Sequence, residues 1–257
     1  MIEKQIKEVR PWGNSAGVLL PKEWIGKQIS ITLIDRTLEI KKEVLKILEN
    51  YLEDIIGIYL VGSYARNEQK EKSDIDILAI SENTQKHISS GKYEIEIIPL
   101  SMIKEILEKN PILVYPKIVD AKIILNPSLL EDLRQIKFTK ESLSQYLKST
   151  REVIKLDERL IEKESKNTLS SPSVIYSSLL RLKTLKIASS IINNKKYTNV
   201  EFNIYLASKL NLDESEIKKL YSVYHSVYKS KRTKDKIPLT TAKALINLLK
   251  EEVKKYD

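Results

Sequence analysis

The 257-residue chain contains no cysteine. Disulfides, thiolate metal sites and cysteine nucleophiles are therefore excluded together. Its two histidines, His87 and His225, are too few for a histidine-rich metal centre. No run of 18 apolar residues occurs, so no membrane-spanning helix is expected. The opening Met-Ile-Glu-Lys-Gln lacks the apolar core of a secretory signal, and the expectation is a cytoplasmic protein. Glycine is scarce as well, with six in the whole chain. One that directly follows an apolar run therefore points to a place where the backbone needs its freedom.

Positive charge is abundant but unevenly placed. The net charge of +9 comes from 44 basic and 35 acidic residues. Residues 1–40 carry 6 basic and 5 acidic side chains, residues 41–129 carry 12 and 14, and residues 130–257 carry 26 and 16. The excess lies in the last segment and peaks at Lys229, Lys231, Arg232, Lys234 and Lys236. Such a peak is either an electrostatic footprint for nucleic acid or another polyanion, or a solvated helix end.

The most informative run is Gly62-Ser63-Tyr64-Ala65-Arg66, followed by Ser73-Asp74-Ile75-Asp76-Ile77-Leu78-Ala79-Ile80. A Gly-Ser pair follows the apolar strand Ile55–Val61, opens a short polar helical turn, and leads to two aspartates on a second apolar strand. Glycine permits close approach to phosphates, and the following amides with the Ser63 hydroxyl offer donors to an anion. Asp74 and Asp76 share one strand face, roughly 6.5–7 Å apart, while Ile75 and Ile77 face the other way. Paired carboxylates with oxygen-only chemistry favour Mg2+ or Mn2+.

These residues and their spacing resemble the nucleotidyltransferase superfamily that includes DNA polymerase beta, and especially its minimal members. The matched pattern is Gly62-Ser63, Ala65-Arg66 and Ser73-Asp74-x-Asp76, with Asn67 in place of a usual glycine. The resemblance implies a magnesium-dependent enzyme that moves a nucleoside monophosphate, AMP as the expected group, from an NTP to an acceptor. It implies Asp74, Asp76 and a third carboxylate as catalytic metal ligands, with Gly62, Ser63, Arg66 and Ser73 at the nucleotide. Glu96, followed by Ile97 and Ile98, aligns best as the third carboxylate; Glu94 on the same face competes.

The run Gly13-Asn14-Ser15…Leu20-Pro21-Lys22 resembles the swapped-hairpin domain of AbrB and MazE. Strand-like segments flank it at Lys4–Val9 and Gln28–Ile34, and a turn at Asp35-Arg36 leads into Leu38–Ile40 as a fourth strand. Such a module buries too little apolar surface to fold alone, and the resemblance implies an intertwined homodimer. DNA binding is implied too, with Lys7 and Arg10 near the expected contact, although pure dimerisation is the alternative.

Residues 41–54 read as a helix, and Ile55–Val61, Ile75–Ile80, Tyr93–Ile98 and Ile118–Leu125 as strands, with a helix at Ser101–Lys109. Beyond residue 130 the pattern is helical, and it resembles the bundles, including the HEPN type, that follow minimal nucleotidyltransferase domains. No arginine precedes His225 at the ribonuclease spacing of that type. Tyr221, Tyr224 and Tyr228 recur at helical spacing and read as core-lining.

The expected class is α+β. A swapped-hairpin module spans residues 1–40, a mixed-sheet nucleotidyltransferase domain 41–127 and a helical bundle 128–257. Expected partners are an NTP and a second copy of the chain, with no membrane. DNA or RNA, and a partner protein adenylylated in antitoxin fashion, are further partners this organisation suggests. The alternative is a DNA-binding regulator or antitoxin whose central domain binds nucleotide without turnover.

Deleting residues 1–40 is expected to convert a dimer into a monomer, because single hairpins cannot bury their apolar face. Light scattering checks this; an unchanged mass contradicts it.

Overall fold

The computed structural model describes residues 10–29, 37–69, 73–233 and 235–256. The chain divides into two compact units, residues 1–40 and 41–257.

In the first unit, β1 (Arg10–Trp12) pairs antiparallel with β2 (Ser15–Gly17). Gly13 takes φ +59°, the positive angle that a two-residue hairpin connection requires at its first position. A single 3-10 turn follows at Lys22–Trp24. Trp12, Leu19 and Ile25 are each about two-thirds exposed or more (66%, 67% and 79%). The expected strand Lys4–Val9 and most of Gln28–Ile34 lie outside the described residues. Leu38–Ile40 is not a strand: it belongs to helix α1, Thr37–Ile47. Ile40, Val44 and Ile47 recur at helical spacing with no turn residue between them.

The second unit is built on a five-stranded mixed sheet ordered β5-β6-β4-β3-β7. Its strands are β3 (Ile55–Val61), β4 (Ile75–Ser81), β5 (Lys86–Ser90), β6 (Tyr93–Pro99) and β7 (Lys122–Leu125). β3 and β4 are apolar on both faces, as central strands must be when both faces are covered. β4 and β6 run parallel; the other neighbours are antiparallel. A short helix, α2 (Gly62–Ala65), joins β3 to the segment before β4. Helices α3 (Leu100–Lys109), α4 (Tyr115–Asp120) and α5 (Pro127–Arg134) supply Ile103, Leu107, Ile118, Leu130 and Leu133 to the core beneath Tyr59, Leu78 and Ile80.

Three local assignments differ from the sequence reading. The helix read over residues 41–54 ends at Ile47, and a 3-10 turn follows at Glu49–Tyr51. Ile118–Asp120 is the end of α4 rather than strand: Pro116 sits in the first turn of α4, and Val114 and Ile118 face the core one turn apart. The chain turns extended only at Ala121. β5 was not expected, because it is an edge strand that is mostly exposed and lacks apolar alternation.

Five helices complete the unit: α6 (Ser144–Glu162), α7 (Ser173–Ile192), α8 (Asn199–Leu210), α9 (Glu214–Tyr228) and α10 (Leu239–Lys254). Ile154, Leu182, Leu185, Leu206, Leu220, Leu245 and Leu249 form their shared core. An acidic capping box opens α9. The Glu216 amide donates to Asp213 Oδ1 at 2.8 Å, and the Asp213 amide to Glu216 Oε2 at 2.9 Å.

Asn126 ties β3 to the start of α5. In the left-handed region at φ +61°, its side chain accepts from the Leu129 amide at 3.1 Å and donates to the Ile56 carbonyl at 2.8 Å. Its own carbonyl accepts from the Tyr59 hydroxyl at 2.9 Å. Asn126→Ala is therefore expected to lower stability by about 2–3 kcal/mol, through the lost cap, the lost bond and left-handed strain. Urea denaturation measures this; a change below about 0.5 kcal/mol contradicts the assignment.

Candidate active site

The site begins where β3 ends. Val61 pairs with Asp76 in the β3–β4 register, so the chain leaving β3 passes directly over that aspartate. Gly62 follows with φ +68°, and a Cβ there would lie 2.1 Å from Asp76 Oδ2. Only glycine allows this approach. The short helix α2 then carries Ser63, half-buried, on the same loop. Asn67 takes φ +59°, the left-handed angle that suits asparagine where a glycine is usual, and its Oδ1 accepts from Lys122 Nζ at 2.6 Å.

Arg66 is held rather than solvated. Its Nε donates to Glu68 Oε2 at 2.9 Å, and its Nη1 reaches Asp120 Oδ2 at 3.4 Å. Glu68 in turn accepts from the Asn199 amide at 2.9 Å and its side-chain nitrogen at 2.8 Å. Asn199 opens α8, so the carboxylate sits against a helix N-terminus, where the helix dipole favours negative charge. The phosphate-turn candidate is thereby fastened to the helical bundle.

The four acidic candidates separate by environment. Asp76 is the most enclosed: burial, then the charge of Asp74 and of Glu96, raise its pKa to about 6 against the pull of Lys117 and Arg66. Asp74 is partly exposed, with Lys229 Nζ 3.4 Å from its Oδ2. Glu94 stands opposite Asp76 in the β4–β6 register, and Glu96 opposite Leu78. Glu94 is turned toward the sheet edge, where Ser89 Oγ donates at 2.7 Å and His87 Nε2 lies at 3.0 Å. Glu96 meets Lys117 Nζ at 2.5 Å. Ser73 is half-buried immediately before Asp74. Arg10 lies on the exposed hairpin of the first unit, and Lys7 lies outside the described residues.

Sequence reasoning missed the contribution of the bundle. Lys183 on α7 is half-buried beside Arg66, Glu68 and Asp76; burial and the repulsion of Arg66 hold its pKa below that of an ordinary lysine. Tyr228 at the end of α9 is 63% exposed, unlike Tyr221 and Tyr224, which pack against the bundle core. Its hydroxyl pKa is raised by burial and then by the charges of Asp76, Glu94 and Glu96. No sequence signal singles out Lys183, because Arg181 and Lys186 flank it on the same helix.

The donor set of Asp74, Asp76 and Glu96 is all carboxylate oxygen, which suits a hard divalent cation. Among the described residues no three acidic or histidine side chains are already gathered at metal-binding geometry. Lys229 and Lys117 engage Asp74 and Glu96 instead. The unshared repulsion and burial at Asp76 are what a cation would relieve, so the residues fit such an ion. Among the described residues no helix is long and apolar enough to cross a membrane.

Residues 41–169 match the family described as "Nucleotidyltransferase domain", and residues 2–37 match the family described as "Putative transposon-encoded protein". A curated relative, "Putative protein adenylyltransferase MJ1305" of Methanocaldococcus jannaschii, is 36% identical over 83 residues, covering 32% of this chain and 56% of that protein. The chain thus matches little more than half the length of that relative. The solved spectinomycin adenyltransferase AAD(9) of Enterococcus faecialis, with ATP and spectinomycin, is 17% identical, with a TM-score of 0.42 over 84% of this chain and 99% of its own. A nucleotidyltransferase-like protein of Exiguobacterium sibiricum is 14% identical, with a TM-score of 0.32 over 84% and 75%. At these scores neither likeness adds to the assignment.

The raised pKa of Asp76 has a stability consequence. Its folded value of about 6 exceeds its unfolded value of 3.8. The folded state therefore holds a proton that the unfolded chain releases between about pH 4 and 6, and this contribution is lost as pH rises through 6. Without divalent ions, Asp76→Asn is expected to stabilise the protein by about 1–2 kcal/mol at pH 7.5, and by little near pH 4. Urea denaturation in chelator at the two pH values checks this; destabilisation at pH 7.5 contradicts it.

Proposed function

The chain belongs to the nucleotidyltransferase domain family, and we propose that it transfers a nucleoside monophosphate, AMP in this reading, from an NTP to an acceptor hydroxyl. The observation that carries this is the approach of the Gly62 backbone to the Asp76 carboxylate, with Asp74 and Glu96 bearing on the same group. In this reading the phosphates lie against the Gly62 turn, beside carboxylates that cannot comfortably share their charge. The name of the Methanocaldococcus relative supports an adenylyl group and keeps a protein hydroxyl among the acceptors.

In the proposed reaction the acceptor oxygen attacks the α-phosphorus, the bond from that phosphorus to the bridging oxygen breaks, and pyrophosphate leaves. Gly62 lets the phosphates approach the backbone, and Ser63 offers a hydroxyl donor. Lys183 and Arg66 would offset the charge that develops on pyrophosphate. Asp74 and Asp76 would hold Mg2+ or Mn2+, with Glu96 on the acceptor side. When bound, such ions neutralise the developing charge and align the nucleophile. Glu96, half-exposed and paired with Lys117, would take the acceptor proton in this reading; Glu94, bound to Ser89 and His87 at the sheet edge, is the alternative.

The exposed Trp12, Leu19 and Ile25 of the first unit support its reading as an AbrB-like module completed by a second copy. Contact of Lys7 and Arg10 with DNA belongs to the same reading. A second reading, a regulator or antitoxin that binds nucleotide without turnover, draws on Lys229 and Lys117, which occupy two of the carboxylates.

With labelled ATP, Mg2+ and lysate of the host, Asp74→Asn and Asp76→Asn are expected to lower label transfer at least tenfold, about 1.4 kcal/mol of transition-state stabilisation. Glu96→Gln should approach them in severity, and Glu94→Gln should be milder. Lys183→Met should raise the KM for ATP about tenfold and change kcat less. Nucleotide binding without transfer by the unaltered protein supports the second reading, and aspartate variants that keep more than a tenth of the rate contradict the first.

A further inference from the structure

Helix α9 is capped by Lys229, and the loop beyond it walls a separate cavity. Ser230 takes φ +51°, and the Lys231 amide donates back to the Ser226 carbonyl at 2.7 Å, a left-handed helix ending that turns the chain away from the helix axis. The loop then runs alongside residues 166–170. The Leu169 amide donates to the Ile237 carbonyl, and the Leu239 amide to the Asn167 carbonyl, each at 2.9 Å. Between these two clamped segments lies a cavity of about 740 Å³, within the ~300–1,000 Å³ of small-molecule sites.

The chemistry of the walls is divided. Leu169 and Pro172, partly exposed, form an apolar floor, backed by Ile175, Val223 and Ile237 in the bundle core. Lys166, Lys231, Arg232 and Lys236 stand at the rim, exposed, and none of them forms an ion pair among the described residues. Among the described residues, Asp235 is the only acidic side chain in the lining. Four like charges around one opening repel, and a bound anion relieves them. A cationic ligand would be repelled for the same reason. The rim lies close to the reaction centre along the chain, because Lys231 follows by two residues, about 7 Å at most, the lysine that meets Asp74.

We infer that this cavity binds a phosphate monoester with an apolar body, its phosphate on Lys231, Arg232 and Lys236 and its body on Leu169 and Pro172. The site goes beyond the nucleotidyltransferase reading and does not rest on it.

Phenyl phosphate tests the site without any turnover. Calorimetry on the full chain saturated with ATP is expected to show one phenyl phosphate bound per chain, more tightly than inorganic phosphate because of the apolar floor. Lys231→Gln, Arg232→Gln and Lys236→Gln together should weaken it at least tenfold. The three are exposed, and an unchanged melting temperature shows that the triple variant still folds. ATP affinity of that variant should be unchanged, whereas Lys183→Met should weaken ATP and leave phenyl phosphate alone. Absence of phenyl phosphate binding, displacement of it by ATP, or equal affinity in the triple variant overturns the proposed site. Binding as expected in a protein that transfers no label would keep the site and overturn the enzyme reading instead.

Discussion

The approach of Gly62 to Asp76 is the constraint on which the rest of the second unit depends. It requires β3 and β4 to be adjacent and in register, so that Val61 faces Asp76 and the next residue passes over the carboxylate. It requires a residue without a Cβ, in a backbone conformation that other residues adopt at a cost. It also leaves a charged group largely enclosed, with Asp74 and Glu96 adding to the cost of ionising it. Such an arrangement is destabilising by itself and persists because the apolar sheet around it holds it in place. That is the usual relation between an active site and its scaffold.

The helical bundle belongs to this site rather than standing apart from it. Glu68 joins Arg66 to the first residue of α8, Lys183 on α7 feels the charges of Arg66, Glu68 and Asp76, and Lys229 reaches Asp74 from the end of α9. Cations therefore come to the acidic centre from helices far away in sequence. They lower the electrostatic cost of gathering the carboxylates. The same segment of chain that supplies Lys229 continues into the cationic rim of the neighbouring cavity.

Much of the sheet was legible because its signals are local. The apolar runs of β3, β4 and β6, the Gly62-Ser63 pair and the Asp74/Asp76 alternation each lie within one short window. The capping box at Asp213 and Glu216 is equally local. What could not be read depended on tertiary contacts. β5 carries polar, exposed residues, and its pairing with β6 rather than its own pattern makes it a strand. Ile118 and Val119 look extended in isolation but finish a helix begun at Tyr115. Leu38–Ile40 continues into α1 for the same reason. Lys183 is one of three cations in α7, with Arg181 and Lys186, and nothing in the sequence sets it apart from them. The choice between Glu94 and Glu96 was open at the level of strand parity. Their side-chain partners, Ser89 and His87 against Lys117, distinguish them in the structure.

Under the proposed function, the site acts on the α-phosphorus of a nucleoside triphosphate. The most direct measurement compares ATP labelled at the α-phosphate with ATP labelled at the γ-phosphate, each incubated with the full chain, Mg2+ and host lysate. The expected result is that α-label becomes attached to an acceptor while γ-label is released as pyrophosphate. Attachment of γ-label to an acceptor, or its release as inorganic phosphate while α-label stays in ADP, would contradict the proposed reaction.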